Sequence, residues 1–168
     1  MDNKKKFTEL IKEHQKIIHK ICNLYADTHD DRLDLKQEIL YQLWKSFSSF
    51  NEQSKFSTWM YKVALNTAMV HVRKRKKYLS FIPFLKKHDY ELNASSEYSE
   101  HKYDLMYSAI SKLKKVDRSI VFLYLEKKTY KEIGEIIGVS EKNISVRLVR
   151  LKNKLRKIIE ASISYDSF

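Results

Sequence analysis

The chain has 168 residues and a formal net charge of +12, which favours a polyanionic partner. With two glycines and one proline it has too few turn residues for a β-sheet protein, so an all-helical fold is expected. A single cysteine excludes an internal disulfide and fits a reducing compartment. No apolar run is long enough for a signal peptide or a membrane span. We therefore expect a cytoplasmic protein.

The first 77 residues predict a small helical domain. Apolar residues recur at intervals of three and four over 7–25, the spacing of a helix that packs through one face. After a polar interruption, the same spacing predicts a second helix over 33–47 and a third from residue 56. The third helix runs into the consecutive basic residues 73–77. This domain is therefore expected to be cationic.

Residues 78–100 differ from both flanks. They contain Pro83 and a Ser/Glu-rich end, they are acidic overall, and they show no sustained helical period. This composition predicts a flexible linker, with a strap packed on one domain as the alternative. Helical spacing then returns, so residues 101–168 predict a second small helical domain.

Gly134 and Gly138 are the only glycines, and both belong to one predicted motif. Thr129 and Glu132 have the spacing of a capping box that begins a short helix, and Gly138 suits the left-handed turn that ends it. Ser140 can cap the next helix, which has one apolar face and basic outer faces. We expect Gly134 to allow close helix contact. The pattern is typical of a helix-turn-helix that enters the major groove, with a helical hairpin bearing a solvated basic face as the alternative.

With this motif in residues 109–158 and the helical pattern of 33–77, the chain resembles bacterial sigma factors of the extracytoplasmic-function group. The resemblance covers nearly all of residues 7–160 and implies two domains, regions two and four, that bind RNA polymerase core and direct promoter-specific initiation. The family usually has alanine at the position of Gly134, so this glycine is a departure from the pattern.

The resemblance assigns recognition of minus-35 duplex DNA to the second helix of the motif. Arg150 can donate a bidentate pair to guanine, and Val146 or Val149 can touch a thymine methyl group. Phosphate anchoring is the alternative role for each arginine. The predicted minus-35 set is Lys142, Asn143, Ser145, Val146, Arg147, Val149 and Arg150.

The resemblance also makes residues 50–56 the loop that captures a flipped minus-10 base, in front of the third helix. Aromatic stacking and edge hydrogen bonds suit Phe50, Tyr61 and Asn66, whereas Phe56 and Trp59 are expected in the core. The basic run can contact phosphates or be merely solvated. The predicted minus-10 set is Phe50, Asn51, Lys55, Tyr61, Lys62, Val63, Asn66, Arg73 and Arg75.

The second helix is implied to grip the clamp helices of the largest polymerase subunit. A solvated polar strip above core Leu and Trp is the alternative. The predicted polymerase-binding set is Leu33, Asp34, Gln37, Glu38, Leu40 and Trp44. The resemblance further implies contact with the flap of the second-largest subunit, passage of the acidic linker through the RNA exit path, and an anti-sigma factor as antagonist.

Two other functional classes compete with this interpretation. A stand-alone helix-turn-helix regulator with a helical sensor domain explains residues 129–158 but not the pattern of 56–77. An enzyme is disfavoured because His14, His19 and Cys22 complete no ligand set and no phosphate-binding glycine loop exists. We therefore expect no catalytic residues, metal or cofactor.

Overall fold

The computed structural model describes residues 3–80, 106 and 108–165, and the chain divides into two compact units, Met1–Tyr90 and Glu91–Phe168. These residues form helices joined by short turns, without a strand among them, which confirms the all-helical fold expected from the sequence. Apart from residues 78–80, which continue a helix, the predicted linker lies outside the described residues. None of the helices described is long and apolar enough to span a membrane.

The first unit is a bundle of three helices that all pack against one another. Its elements are α1 (Asn3–Tyr25), α2 (His29–Ser46), a 3-10 turn (Phe47–Ser49) and α3 (Phe56–Ser80). Thr28 caps α2, because its hydroxyl accepts a hydrogen bond from the Asp31 amide at 3.2 Å. The apolar positions that recur along the three helices meet in one core, whose fully buried members include Ile21, Leu35, Ile39, Leu43, Met60 and Leu65.

Cys22 lies in this core and is only 3% exposed. Burial raises the pKa of its thiol from 9.0 to about 11, because desolvation disfavours the thiolate more than Lys36 and Arg32 favour it. The unfolded chain recovers the ordinary pKa. The folded state therefore holds the thiol proton more tightly than the unfolded state does. The stability that Cys22 contributes by staying protonated is fully present below pH 9 and is lost as the pH rises towards 11.

We therefore expect Cys22 to be alkylated by iodoacetamide at pH 8 about a hundredfold more slowly in the folded chain than in urea, from the lower thiolate fraction alone. Mass spectrometry of timed samples measures both rates, with free glutathione as a control for the effect of urea on the reagent. Equal rates in the two states would show that the thiol is not buried in solution.

The second unit contains helical residues 108–111 followed by α4 (Lys115–Leu125), α5 (Tyr130–Ile137) and α6 (Glu141–Tyr165). The helices α4, α5 and α6 all contact one another. Their core is aliphatic, with Ile110, Ile120, Leu123, Ile133, Ile144 and Leu148 fully buried. The buried residues of α6 follow each other at intervals of four and three, so one side of this helix faces the core and the other sides remain accessible.

The predicted helix-turn-helix details are confirmed. The Thr129 amide donates to Glu132 Oε2 at 2.9 Å and the Glu132 amide donates to Thr129 Oγ1 at 3.2 Å, which completes the capping box of α5. Gly138 ends α5 in the left-handed region, with φ of 85°. The Ser140 hydroxyl accepts from the Asn143 amide at 3.3 Å and caps α6. Local sequence therefore determines both helix starts and the turn between them.

At Gly134 the turn approaches α5 closely. A Cβ atom there would lie 2.6 Å from the carbonyl oxygen of Val139 and 3.5 Å from the amide nitrogen of Glu141. The carbonyl of Gly134 itself accepts from the amides of Gly138 and Val139 at 2.8 and 3.0 Å. The turn thus folds back tightly onto α5, and the departure from alanine has a packing reason.

Candidate nucleic-acid and polymerase interfaces

The outer surface of α6 combines apolar and cationic groups. Val146 and Val149 are 47% and 60% exposed, and their spacing of three residues places them side by side on α6 as a small apolar patch. Arg150 is exposed beside them. A surface cavity of about 320 Å³ is lined by Val139, Asn143, Val146, Arg147 and Arg150. Of the remaining predicted minus-35 residues, Lys142 is exposed and Ser145 is half-buried.

Arg147 differs from the other cationic residues of this surface because it is tied to another helix. Its Nε donates to Oδ1 of Asp117 at 2.8 Å, and its side chain is 40% exposed. Asp117 lies in the first turn of α4, 30 residues away in sequence. The sequence pattern predicts Arg147 at the DNA but does not reveal this partner, since no local pattern connects the two positions.

Lys152 also contacts a residue of α4. Its Nζ lies 4.2 Å from the centre of the Tyr124 ring and donates to the Tyr124 hydroxyl at 2.9 Å. This hydrogen bond raises the pKa of Lys152 above its usual value. Two cationic residues of α6, Arg147 and Lys152, therefore contact α4, whereas Arg150 and Lys154 are exposed and make no hydrogen bond or ion pair with the residues that the structure describes.

In the first unit, the predicted minus-10 loop is supported by aromatic rings. The ring of Phe50 lies 5.3 Å from Trp59 and 5.5 Å from Phe56 between centroids. Phe56 is buried as expected, but Trp59 is only half-buried. Glu52 adopts a left-handed conformation with φ of 58°, and Lys6 Nζ donates to its Oε1 at 2.6 Å. This hydrogen bond lowers the pKa of Glu52.

The other predicted minus-10 residues differ in how exposed they are. Asn51, Lys55, Lys62, Asn66 and Arg73 are exposed and Val63 is half-buried, so these positions are accessible or partly so. Tyr61 is only 4% exposed, because its ring points into the bundle. The assignment of Tyr61 as a stacking residue is therefore corrected, since a base cannot reach its face without rearrangement of the core.

Arg75, predicted as a phosphate contact, instead makes an ion pair with Asp31. Asp31 is 9% exposed and also lies 2.9 Å from Nε2 of His71, so one carboxylate of α2 holds two residues of α3. A buried carboxylate needs such partners. In this structure Arg75 joins two helices of the bundle, and Arg73 is the exposed arginine of the basic run.

On α2, apolar and acidic residues share an accessible surface. Leu33 and Trp44 are 45% and 46% exposed, which excludes a purely core role for them. The rings of Trp44 and Phe7 of α1 pack in a T-shaped arrangement with centroids 5.1 Å apart. The rest of the predicted polymerase-binding set comprises the exposed Asp34 and Gln37 and the half-buried Glu38 and Leu40.

Tyr41 was not predicted at this surface, although it is 57% exposed. It lies on α2 three residues before Trp44 and four after Gln37, so helical geometry places it beside both. An exposed tyrosine among apolar neighbours is a recognisable signal of a contact surface. We define the α2 strip as the six predicted residues on α2 together with Tyr41.

Two family models match the chain, Sigma-70 region 2 over residues 10–78 and Sigma-70, region 4 over residues 103–155. The RNA polymerase sigma factor SigV of Bacillus subtilis is 24% identical over 147 residues, which are 87% of this chain and 86% of SigV. The ECF RNA polymerase sigma factor SigW of the same organism is 25% identical over a 174-residue alignment that covers 90% of this chain and 87% of SigW.

Solved structures share the fold. The sigma factor RpoE of Bartonella quintana, solved with the anti-sigma factor NepR, has a TM-score of 0.65 at 19% identity, covering 90% of this chain and 97% of RpoE. CnrH, solved with the cytosolic domain of CnrY, has a TM-score of 0.69 at 18% identity over 95% of this chain and 91% of CnrH. With both sigma-70 regions present in order and relatives matched over most of their length, the chain belongs to the extracytoplasmic-function group of the sigma-70 family of RNA polymerase sigma factors.

Proposed function

We propose that the chain binds RNA polymerase core and directs it to promoters by reading duplex DNA with one unit and single-stranded DNA with the other. The observation that carries this proposal is the pairing of two different surfaces in one chain. One is the exposed valine and arginine surface of α6, and the other is the α2 strip with its exposed Leu33, Tyr41 and Trp44. A protein that only bound an operator would need the first surface but not the second.

For the minus-35 element, α6 lies in the major groove with Val146 and Val149 against thymine methyl groups and Arg150 at a guanine. Lys142 is exposed in the first turn of α6, so its ammonium group can contact a phosphate. The exposed Asn143 can donate to a base edge or a phosphate. The net charge of +12 supplies the sequence-independent part of the affinity.

For the minus-10 element, the loop 50–56 presents Phe50 to a flipped base, and the half-buried Trp59 packs against the ring of Phe50. Lys62 and Asn66 stand one turn apart on the exposed side of α3 and can hold the adjacent backbone and base edge. Tyr61 contributes to the core of the bundle instead.

Polymerase supplies the chemistry of RNA synthesis, so we propose that this chain is not an enzyme and needs neither metal nor cofactor. It acts in the cytoplasm, where polymerase and promoter DNA are found. The proposed domain division is 1–77, linker 78–100 and 101–168. Because the sigma factor RpoE, which shares this fold, was solved with the anti-sigma factor NepR, we also propose an anti-sigma factor as the antagonist of this chain.

Run-off transcription with polymerase core and a library of genomic fragments from the source bacterium tests the function directly. We expect new transcripts that depend on the chain and start downstream of a shared pair of sequence elements. High-affinity binding to an operator without polymerase, together with no new transcripts, would instead support the stand-alone regulator.

Arg150→Ala is expected to lower transcription from a cognate promoter about tenfold, because one bidentate base contact is lost. Binding of the variant to polymerase core should be unchanged. Lys154→Ala is the matched control, since Lys154 is an exposed cation on the same helix outside the predicted minus-35 set. An equal loss for both variants, or a loss of core binding by Arg150→Ala, would contradict the role of Arg150.

A further inference from the structure

The contact between Arg147 and Asp117 uses a particular edge of the guanidinium group. Only Nε donates to the carboxylate, at 2.8 Å. Arginine carries five N–H donors, and the four on its terminal nitrogens make no hydrogen bond with any residue that the structure describes. Two of these four point in parallel away from Nε, which is the geometry that guanine or a phosphate accepts.

Asp117 is well placed to hold this arrangement. Its side chain is 13% exposed, and it lies in the first turn of α4, where the positive end of the helix dipole favours a carboxylate. Asp117 is thus the more buried member of the pair. The side chain of Arg147 is 40% exposed and lines the same cavity as Asn143, Val146 and Arg150.

A free arginine side chain samples many rotamers and loses that freedom when it binds. The carboxylate of Asp117 restricts the Arg147 side chain before DNA binds, so less conformational entropy is lost on binding. The restricted guanidinium can donate only to hydrogen-bond acceptors that lie in one position. Because Asp117 also brings a negative charge towards the DNA surface, it disfavours non-specific attraction while it favours a fixed geometry.

We propose that Asp117 is a positioning residue for minus-35 recognition, which orients the guanidinium of Arg147 towards one base pair. This inference rests on the proposed function, because it requires that α6 reads a promoter. Asp117 itself does not touch DNA. Its effect is on which sequences are preferred and not on how strongly DNA is attracted overall.

The test uses holoenzyme reconstituted from polymerase core and the full chain, with a promoter library randomised across the minus-35 element. Selection on this library measures the preference for each base at each position. For Asp117→Ala we expect the preference at one or two positions to fall about fivefold or more, because the bidentate contact is no longer oriented. Total binding to non-specific DNA should stay equal or rise, since a negative charge is removed.

Two further variants separate positioning from other effects. Glu141→Gln removes an exposed negative charge from the first turn of α6 without touching Arg147, so it should alter overall affinity but leave base preferences unchanged. In an Arg147→Ala background, Asp117→Ala should cause no additional loss of preference. Asp117→Asn, which keeps an acceptor oxygen, should retain part of the preference.

Each outcome decides a different point. If Asp117→Ala weakens binding to all sequences by the same factor and lowers the melting temperature, Asp117 is only structural and the inference fails. If its base preferences match those of the wild type, the inference also fails while the proposed function stands. If the wild-type holoenzyme selects no minus-35 sequence at all, the proposed function fails instead.

Discussion

Leu33→Asp is expected to reduce binding of the chain to RNA polymerase core by about thirtyfold or more, the range of a hot-spot residue. Leu33 is 45% exposed near the start of α2, so the apolar contact it offers a partner is replaced by a charge that must be desolvated. The loss should lower transcription from every promoter equally, in contrast to a DNA-contact variant.

This substitution should leave the first unit folded, because Leu33 lies outside the core and aspartate is tolerated near the start of a helix. Gln15→Asp is the matched control, since it makes the same change in net charge at an exposed position on α1. Co-elution with polymerase core and competition against unmodified chain measure the affinity. Unaltered core binding by Leu33→Asp would remove α2 as the polymerase contact.

Gly134→Ala is expected to destabilise the second unit by about 2 kcal/mol, although alanine is the better helix former. The gain in helix propensity is at most about 1 kcal/mol, whereas overpacking typically costs about 1 to 3 kcal/mol. Steric conflict wins here because the new Cβ meets the backbone carbonyl of Val139 at 2.6 Å, and backbone cannot turn aside as a flexible side chain can.

Both tryptophans, Trp44 and Trp59, lie in the first unit, which allows the two units to be followed separately. In urea, Gly134→Ala should shift the transition seen by far-ultraviolet circular dichroism while the tryptophan fluorescence transition stays in place. Gly138→Asn is the matched control, because that site is open and asparagine tolerates its φ of 85°. A more stable Gly134→Ala variant would mean that the turn relaxes freely.

The helix-turn-helix was predictable in detail because its determinants are local. A capping box, a left-handed glycine and a serine cap each act within about four residues, a distance over which sequence alone specifies hydrogen-bond geometry. The periodicity of α1, α2 and α3 was equally readable, since burial on one face requires a repeat close to 3.6 residues. The family pattern then indicated α2, α6 and the loop between α2 and α3 as candidate contact surfaces.

The contacts of individual charged residues were not predictable. Arg75 and Arg147 both belong to basic surfaces in sequence, yet each meets a carboxylate on another helix, Asp31 or Asp117. The residues of these pairs stand 44 and 30 positions apart, so only the packing of helices brings them together. Tyr61 shows the same limit, because one helical position decides whether an aromatic ring faces DNA or the core.

Helices, their caps, the glycine turn and the cationic character of the chain can be read from the sequence, because they follow from backbone conformation and composition within a few residues. Helix packing, in contrast, sets which cations remain available to DNA, which aromatic rings are buried and how tightly the turn approaches α5. These properties depend on distances between segments remote in sequence, and such distances are set when apolar faces pack into a shared core.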